Sequence, residues 1–257
     1  MPERRLLAVT VYPLRSAPGV AVPRSALTAT GLDGDRRWLL LGDDGHPVSL
    51  TDCPELVRLR PVPLPGGGLQ LADRDGDTGP AVPPPGNDAP ALTMPRRDGG
   101  SVTVRAAAAA DPWLAERLGR SVRLVHLPAG EPADRRPLLL LGTATLAWLA
   151  ERLGRPVEPE RFRANLLAAT RAPWEEERWT AVRIGGVLCA VSKTCPRCPM
   201  VTVDPETGER DPDLLPQLAR ARGLPDGETP CLGVYLQPAA AGELAVGDPV
   251  VPAAGPA

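Results

Sequence analysis

Val191-Ser-Lys-Thr-Cys195-Pro-Arg-Cys198-Pro-Met-Val-Thr-Val203-Asp204-Pro-Glu-Thr-Gly208 places two cysteines three positions apart, between a β-branched run and a turn. Such a pair serves as a zinc half-site, a redox dithiol, an iron–sulfur half-site, or a place where one thiolate holds a softer transition metal. A closed zinc site needs two further ligands at suitable spacing. His46 and His126 are the only histidines, however, and Cys53, Cys189 and Cys231 are scattered singly. A thioredoxin-like dithiol sits where a strand turns into a helix, whereas Thr202-Val-Asp-Pro205 reads as strand and turn. Cys189, Cys195 and Cys198 miss the plant-type iron–sulfur spacing by one residue. Two small buried hydrophobes are the plain alternative, since free cysteine is often core material. Arg197 stands against it, because a cation between the two sulfurs favours a thiolate at its neighbour.

Working outward, short apolar runs separated by turn signals predict strands at Leu6 to Tyr12, Trp38 to Leu41, Leu69 to Ala72, Ser101 to Arg105 and Val122 to Leu127. Thr180 to Val191 and Val201 to Val203 also read as strands, and Leu244 to Val251 as a closing strand. Asp111-Pro-Trp-Leu-Ala-Glu-Arg-Leu118 predicts a helix with an aspartate N-cap and Pro at the first helical position, closed by Gly119. Thr143 to Leu153, closed by Gly154, has a similar design, so Trp113, Leu146 and Trp148 read as core. Asp213 to Arg222 is a third short helix. The Pro- and Gly-rich stretch from Arg60 to Gly100 reads as strands separated by surface loops. Pro128-Ala-Gly-Glu-Pro132 gives the best division, into residues 1–128 and 129–257.

At 257 residues and 43% hydrophobic, the chain can bury one large or two small cores. A net charge of −2 gives no basic footprint for nucleic acid. No signal pattern opens the chain, and its apolar runs fall far below the roughly 20 residues of a membrane span. Five dispersed cysteines argue against a disulfide framework and suit a reducing compartment. A soluble, cytoplasmic protein with no membrane partner is the expectation.

Several separated segments together resemble the MOSC superfamily, the molybdenum-cofactor sulfurase C-terminal domain, and within it the two-part members that carry an N-terminal β-barrel domain. The matching segments are Val11-Tyr-Pro-Leu-Arg15-Ser16, Gly31-Leu-Asp-Gly-Asp35-Arg36-Arg37-Trp38, Pro137 to Leu141, Arg161-Phe-Arg163-Ala-Asn165-Leu166, the cysteine segment, Leu232-Gly-Val-Tyr235 and Val246-Gly-Asp-Pro249. They follow the family's order over nearly the whole chain. The resemblance implies a mostly β fold with a few short helices, arranged as two fused barrel-like domains, and a molybdenum cofactor between them. It places Cys198 on the metal as the catalytic thiolate, and Arg15, Ser16, Arg36, Asp134, Arg163 and Asn165 at the cofactor. A soft thiolate suits molybdenum already held by dithiolene sulfurs, and fixed guanidinium forks suit phosphate and pterin oxygens.

The implied activity is reduction of small N-hydroxylated compounds such as amidoximes, hydroxylamines or N-oxides. The sequence has no Gly-x-Gly-x-x-Gly nucleotide-binding stretch and no second cluster-binding cysteine set. Electrons are therefore expected from a separate ferredoxin- or flavoprotein-type donor. A cofactor carrier or sulfur-transfer module without reductase activity is the alternative, and a cofactor-free structural domain is a third reading. Three positions depart from the family pattern. Thr51 stands where relatives commonly carry arginine, Ala164 replaces a proline, and Arg136 replaces a small hydroxyl residue.

Overall fold

The computed structural model describes residues 3–96, 99–128, 130–131, 138–225 and 228–254. Its largest sheet has eight strands in the order Val250–Ala253, Ala181–Ile184, Val187–Pro196, Cys231–Pro238, Leu138–Gly142, Leu166–Ala168, Leu6–Val11 and Val20–Val22. A four-stranded sheet runs Trp38–Leu41, Arg123–His126, Ser101–Ala106 and Ala91–Pro95, beside sheets of three and two strands. The described sheets are open, and the class is mostly β with three short α-helices, Asp111–Leu118, Thr143–Leu153 and Leu214–Ala221. Leu6–Val11 and Val20–Val22 join strands from the second half of the chain, and Arg24–Thr28 pairs with Gly242–Ala245.

Period-two alternation explains the apolar runs. Trp38 and Leu40 enter one core while Leu39 and Leu41 enter another, so all four positions of that strand are buried. Leu138 and Leu140 likewise pack under the large sheet, and Leu141 turns to the core built by the Thr143–Leu153 and Leu214–Ala221 helices. Leu138–Gly142 and Leu166–Ala168 are parallel, which requires a crossover, and the Thr143–Leu153 helix supplies it.

Three strand expectations change, each because turn chemistry interrupts an apolar run. Thr180 to Val191 is a hairpin, Ala181–Ile184 against Val187–Pro196, turned at Gly185-Gly186 with Gly185 at φ 54°. The expected Val201 to Val203 strand is replaced by a 3-10 turn, Pro199–Thr202, because Pro199 presets its φ and the Thr202 hydroxyl donates to the Pro199 carbonyl at 2.7 Å. The closing segment is two strands, Gly242–Ala245 and Val250–Ala253, parted where Gly247 has φ 95° and Asp248 Oδ2 accepts from the Ala245 N–H. Asp111 is not an N-cap. It lies in the first helical turn and accepts the Leu124 N–H at 2.8 Å, tying that helix to the four-stranded sheet. Leu146 is buried, whereas Trp113 and Trp148 are only partly so.

His126 packs edge-on against Trp38, with ring centroids 4.6 Å apart. Burial, helped by nearby Arg37, pushes its pKa down to about 4. A base depressed by folding contributes stability above its unfolded pKa and loses it as pH falls through roughly 6.5 toward 4. Between about pH 7 and pH 5 the melting temperature should therefore fall more in the wild type than in His126→Gln. After discounting for the ring's partial exposure, the excess should be about 2–4 °C. Equal pH dependence in the two proteins would contradict the burial argument.

Candidate functional site

Tyr12 directly follows the Leu6–Val11 strand and is buried. Its backbone N–H donates to Asp35 Oδ1 at 2.8 Å, and its hydroxyl donates to the Ala164 carbonyl at 3.1 Å. Two guanidinium groups share its ring, Arg36 with Cζ 5.0 Å and Arg163 with Cζ 4.4 Å from the centroid. A buried aromatic face attracts both cations electrostatically and sets their planes. Burial pushes the Tyr12 pKa up to about 12 against the pull of Arg163 and Arg36, so the phenol stays neutral at physiological pH.

Arg36 Nη1 pairs with Asp35 Oδ2 and also donates to Asn165 Oδ1, while its Nη2 donates to the Arg163 carbonyl. Arg163 Nη1 donates to the Ala17 carbonyl at 2.6 Å, and its buried Nη2 has no partner among the described residues. Burial pulls the Arg163 pKa down to about 10, with like-charge repulsion from Arg36 and Arg15 adding to it. A buried donor left without an acceptor is costly in a finished structure.

The cysteine segment approaches from the other side. Val187–Pro196 pairs with Cys231–Pro238, and its register slips between Val191 and Lys193 and again between Thr194 and Pro196. Such irregularities bend a strand and re-aim its side chains beside a site. Cys195 points inward, 3% exposed, and its thiol donates to the Tyr235 hydroxyl at 3.0 Å; Cys198 is exposed. Arg197 lies between them, 6% exposed, donating to the Phe162 and Leu232 carbonyls, with Nε unpartnered among the described residues. The Leu232 carbonyl precedes Gly233, whose φ is 78° and where an added Cβ would lie 2.7 Å from the Leu140 carbonyl oxygen. Arg161, also buried, pairs with Glu158 and Asp204 and so fastens the Pro159–Phe162 turn to the loop following Cys198.

These pieces meet in one cavity of about 900 Å³. Of the residues singled out from the sequence, Arg15, Ser16, Arg36, Arg163, Asn165 and Cys198 all line it. Asp134 and Arg136 lie outside the described residues. Arg161, Arg197 and Tyr235 also line the cavity, as do Met94 and Met200, while Tyr12 and Asp35 support it from behind. Tyr12 and Asp35 stood inside recognised segments, but nothing in their residue types showed that they hold arginines. Thr51 has no cationic side chain to offer, yet its carbonyl accepts from Arg210.

Backbone strain gathers here too. Among the described residues four non-glycines have positive φ, and three of them, Ser16 at 70°, Arg36 at 52° and Arg163 at 52°, line this cavity. The left-handed region costs an L-residue roughly 1–2 kcal/mol, and such outliers cluster at functional sites.

The MOSC domain family matches residues 109–251, and the MOSC N-terminal beta barrel domain family matches residues 3–121. Mitochondrial amidoxime reducing component 2 of Homo sapiens is 30% identical, over 93% of this chain and 81% of that protein. Molybdenum cofactor sulfurase of Drosophila grimshawi is 30% identical over 96% of this chain, which spans only 34% of that protein's length.

Glycine adopts left-handed backbone without the Cβ penalty, so substitution at the strained positions has a defined sign. Arg36→Gly and Arg163→Gly should each be more stable than Arg36→Ala and Arg163→Ala by about 1 kcal/mol in urea unfolding. Alanine variants as stable as the glycine variants would mean that the backbone at these positions is relaxed.

Proposed function

The chain belongs to the MOSC-domain family, and we propose that its cavity holds a molybdenum cofactor, with Cys198 on the metal and Arg15, Ser16, Arg36 and Arg163 at the cofactor's anionic and polar parts. The observation that carries this reading is the convergence, in one cavity, of an exposed thiol and a buried guanidinium nitrogen that lacks an acceptor. The donor set fits such a group. Forked cations match phosphate oxygens, and a thiolate matches a soft metal. Among the described residues no three His, Cys, Asp or Glu side chains gather to hold a metal ion, so a metal at Cys198 would take its other ligands from the cofactor. Asn165 borders the cavity, and Asp134 belongs to the proposed site by sequence alone.

The proposed reaction is reduction of a small N-hydroxylated compound, an amidoxime, hydroxylamine or N-oxide, by two electrons and two protons with release of water. When bound, the cofactor would supply a metal able to accept the substrate oxygen and to be re-reduced. The chain's own part is binding and orientation. Arg36 and Arg163 hold the anionic end against the Tyr12 platform. Both cysteines line the cavity, but the Cys195 thiol is buried and engaged by Tyr235, whereas Cys198 is exposed. Met94 and Met200 give the substrate's organic part an apolar wall. Electrons would come from a separate ferredoxin- or flavoprotein-type donor. A cytoplasmic setting suits five free cysteines, and no described helix is long and apolar enough to cross a membrane.

Coverage favours reduction over the second reading, a cofactor carrier or sulfur-transfer module. The chain spans 81% of the human amidoxime reducing component but about a third of the sulfurase. Turnover separates the two.

Cys198→Ser should abolish N-reduction and change the metal's sulfur coordination in X-ray absorption, while Cys195→Ser leaves that coordination intact. The reverse pattern would move the metal to Cys195. Release of zinc by the double variant would sink the molybdenum reading.

Holoprotein purified from a cofactor-competent host should reduce benzamidoxime with reduced viologen dye but not with NADH or NADPH alone. Bound cofactor without dye-driven turnover would favour the carrier reading. Robust turnover with NADH would contradict the need for a separate donor.

A further inference from the structure

Family resemblance assigns Asn165 to the ligand, but its amide is already fully used. Nδ2 donates to the Thr10 carbonyl and to Asp35 Oδ1, both at 3.1 Å. Oδ1 accepts from Arg36 Nη1 and from the Leu139 N–H, both at 3.3 Å. Two donors and two lone pairs are the whole capacity of a carboxamide. The orientation is forced as well, since turning the amide over would set its NH2 against a guanidinium and a backbone N–H. Asn165 is 1% exposed, and its own backbone bonds to both neighbouring strands, accepting from the Thr10 N–H and donating to the Leu139 carbonyl.

Asp35 is occupied in the same way. Oδ1 accepts from the Tyr12 N–H and from Asn165, and Oδ2 pairs with Arg36. Both side chains therefore converge on Arg36, which also stacks on Tyr12 and donates to the Arg163 carbonyl. We propose that Asp35 and Asn165 are positioning residues of the anion site: they fix the Arg36 guanidinium before a phosphate-type ligand arrives, and Asn165 acts through Arg36 rather than on the ligand. An arginine side chain is long and rotamer-rich, and freezing it in advance removes an ordering cost from binding. This inference rests on the reading of the arginines as an anion site.

A double-mutant cycle tests it, with inorganic phosphate as the probe, calorimetry on the cofactor-free chain, and circular dichroism and melting temperature as controls. Arg36→Ala should weaken phosphate binding by at least roughly tenfold. Asn165→Ala should also weaken it, and the double variant should bind no worse than Arg36→Ala, because residues acting through one group are not additive. Asp35→Asn gives an arm that does not depend on Asn165→Ala folding. It removes a negative charge near the anion, so a bystander carboxylate would give tighter binding, whereas a positioning carboxylate gives weaker binding that disappears in the Arg36→Ala background. Additive losses for Asn165 and Arg36, wild-type affinity in Asn165→Ala, or tighter binding by Asp35→Asn would overturn the positioning role. Unchanged binding in Arg36→Ala would instead overturn the anion-site reading beneath it.

Discussion

Holding guanidinium groups away from water without a carboxylate for each is the constraint on which the rest of the site depends. Arg197 is buried and Arg163 Nη2 is buried, and neither residue forms an ion pair among the described residues. An uncompensated buried cation is expensive, and the chain offsets that cost with three devices. Backbone carbonyls of Ala17, Phe162 and Leu232 accept from the guanidinium nitrogens. Aromatic faces of Tyr12 and Phe162 lie under them. Asp35 anchors the cluster through Arg36. Among the described residues, what remains unsatisfied is Nη1 of Arg161, Nη2 of Arg163 and Nε of Arg197, buried nitrogens of three residues that line the cavity.

The fold serves that constraint. Tyr12 lies at the end of the Leu6–Val11 strand and Asn165 just before Leu166–Ala168, and those two strands pair antiparallel, so segments more than 150 residues apart meet by register alone. Cys198 follows the strand that pairs with Cys231–Pro238, which in turn pairs with Leu138–Gly142. The eight-stranded sheet thus fixes the arginines and the thiol on one frame. Ser16, Arg36 and Arg163 line the cavity from turns, each with a left-handed backbone.

The sequence made much of this legible. The apolar run at Trp38 to Leu41 and the Gly-closed helices carry strong local signals, and the observed elements follow them. The misread segments are those where polar or glycine turn chemistry sits inside an apolar run. Gly185-Gly186 splits one predicted strand, Gly247-Asp248 splits another, and Pro199 winds a third into a 3-10 turn. Motif resemblance picked out Arg15, Arg36, Arg163 and Cys198, which line one cavity, but a motif does not show which contacts a side chain makes. Asn165 looks like a recognition amide in the sequence, and only its four hydrogen bonds reveal its occupation. Tyr12 and Asp35 were invisible for the same reason, because their roles exist only in the contacts they make.

A crystal structure of the chain purified from a cofactor-competent host tests the central claim most directly. The account predicts one bound cofactor in the cavity, with its anionic end against Arg36 and Arg163 and its metal against the Cys198 sulfur. An ordered cofactor whose anionic end avoids both arginines, or a metal held away from Cys198, would contradict it.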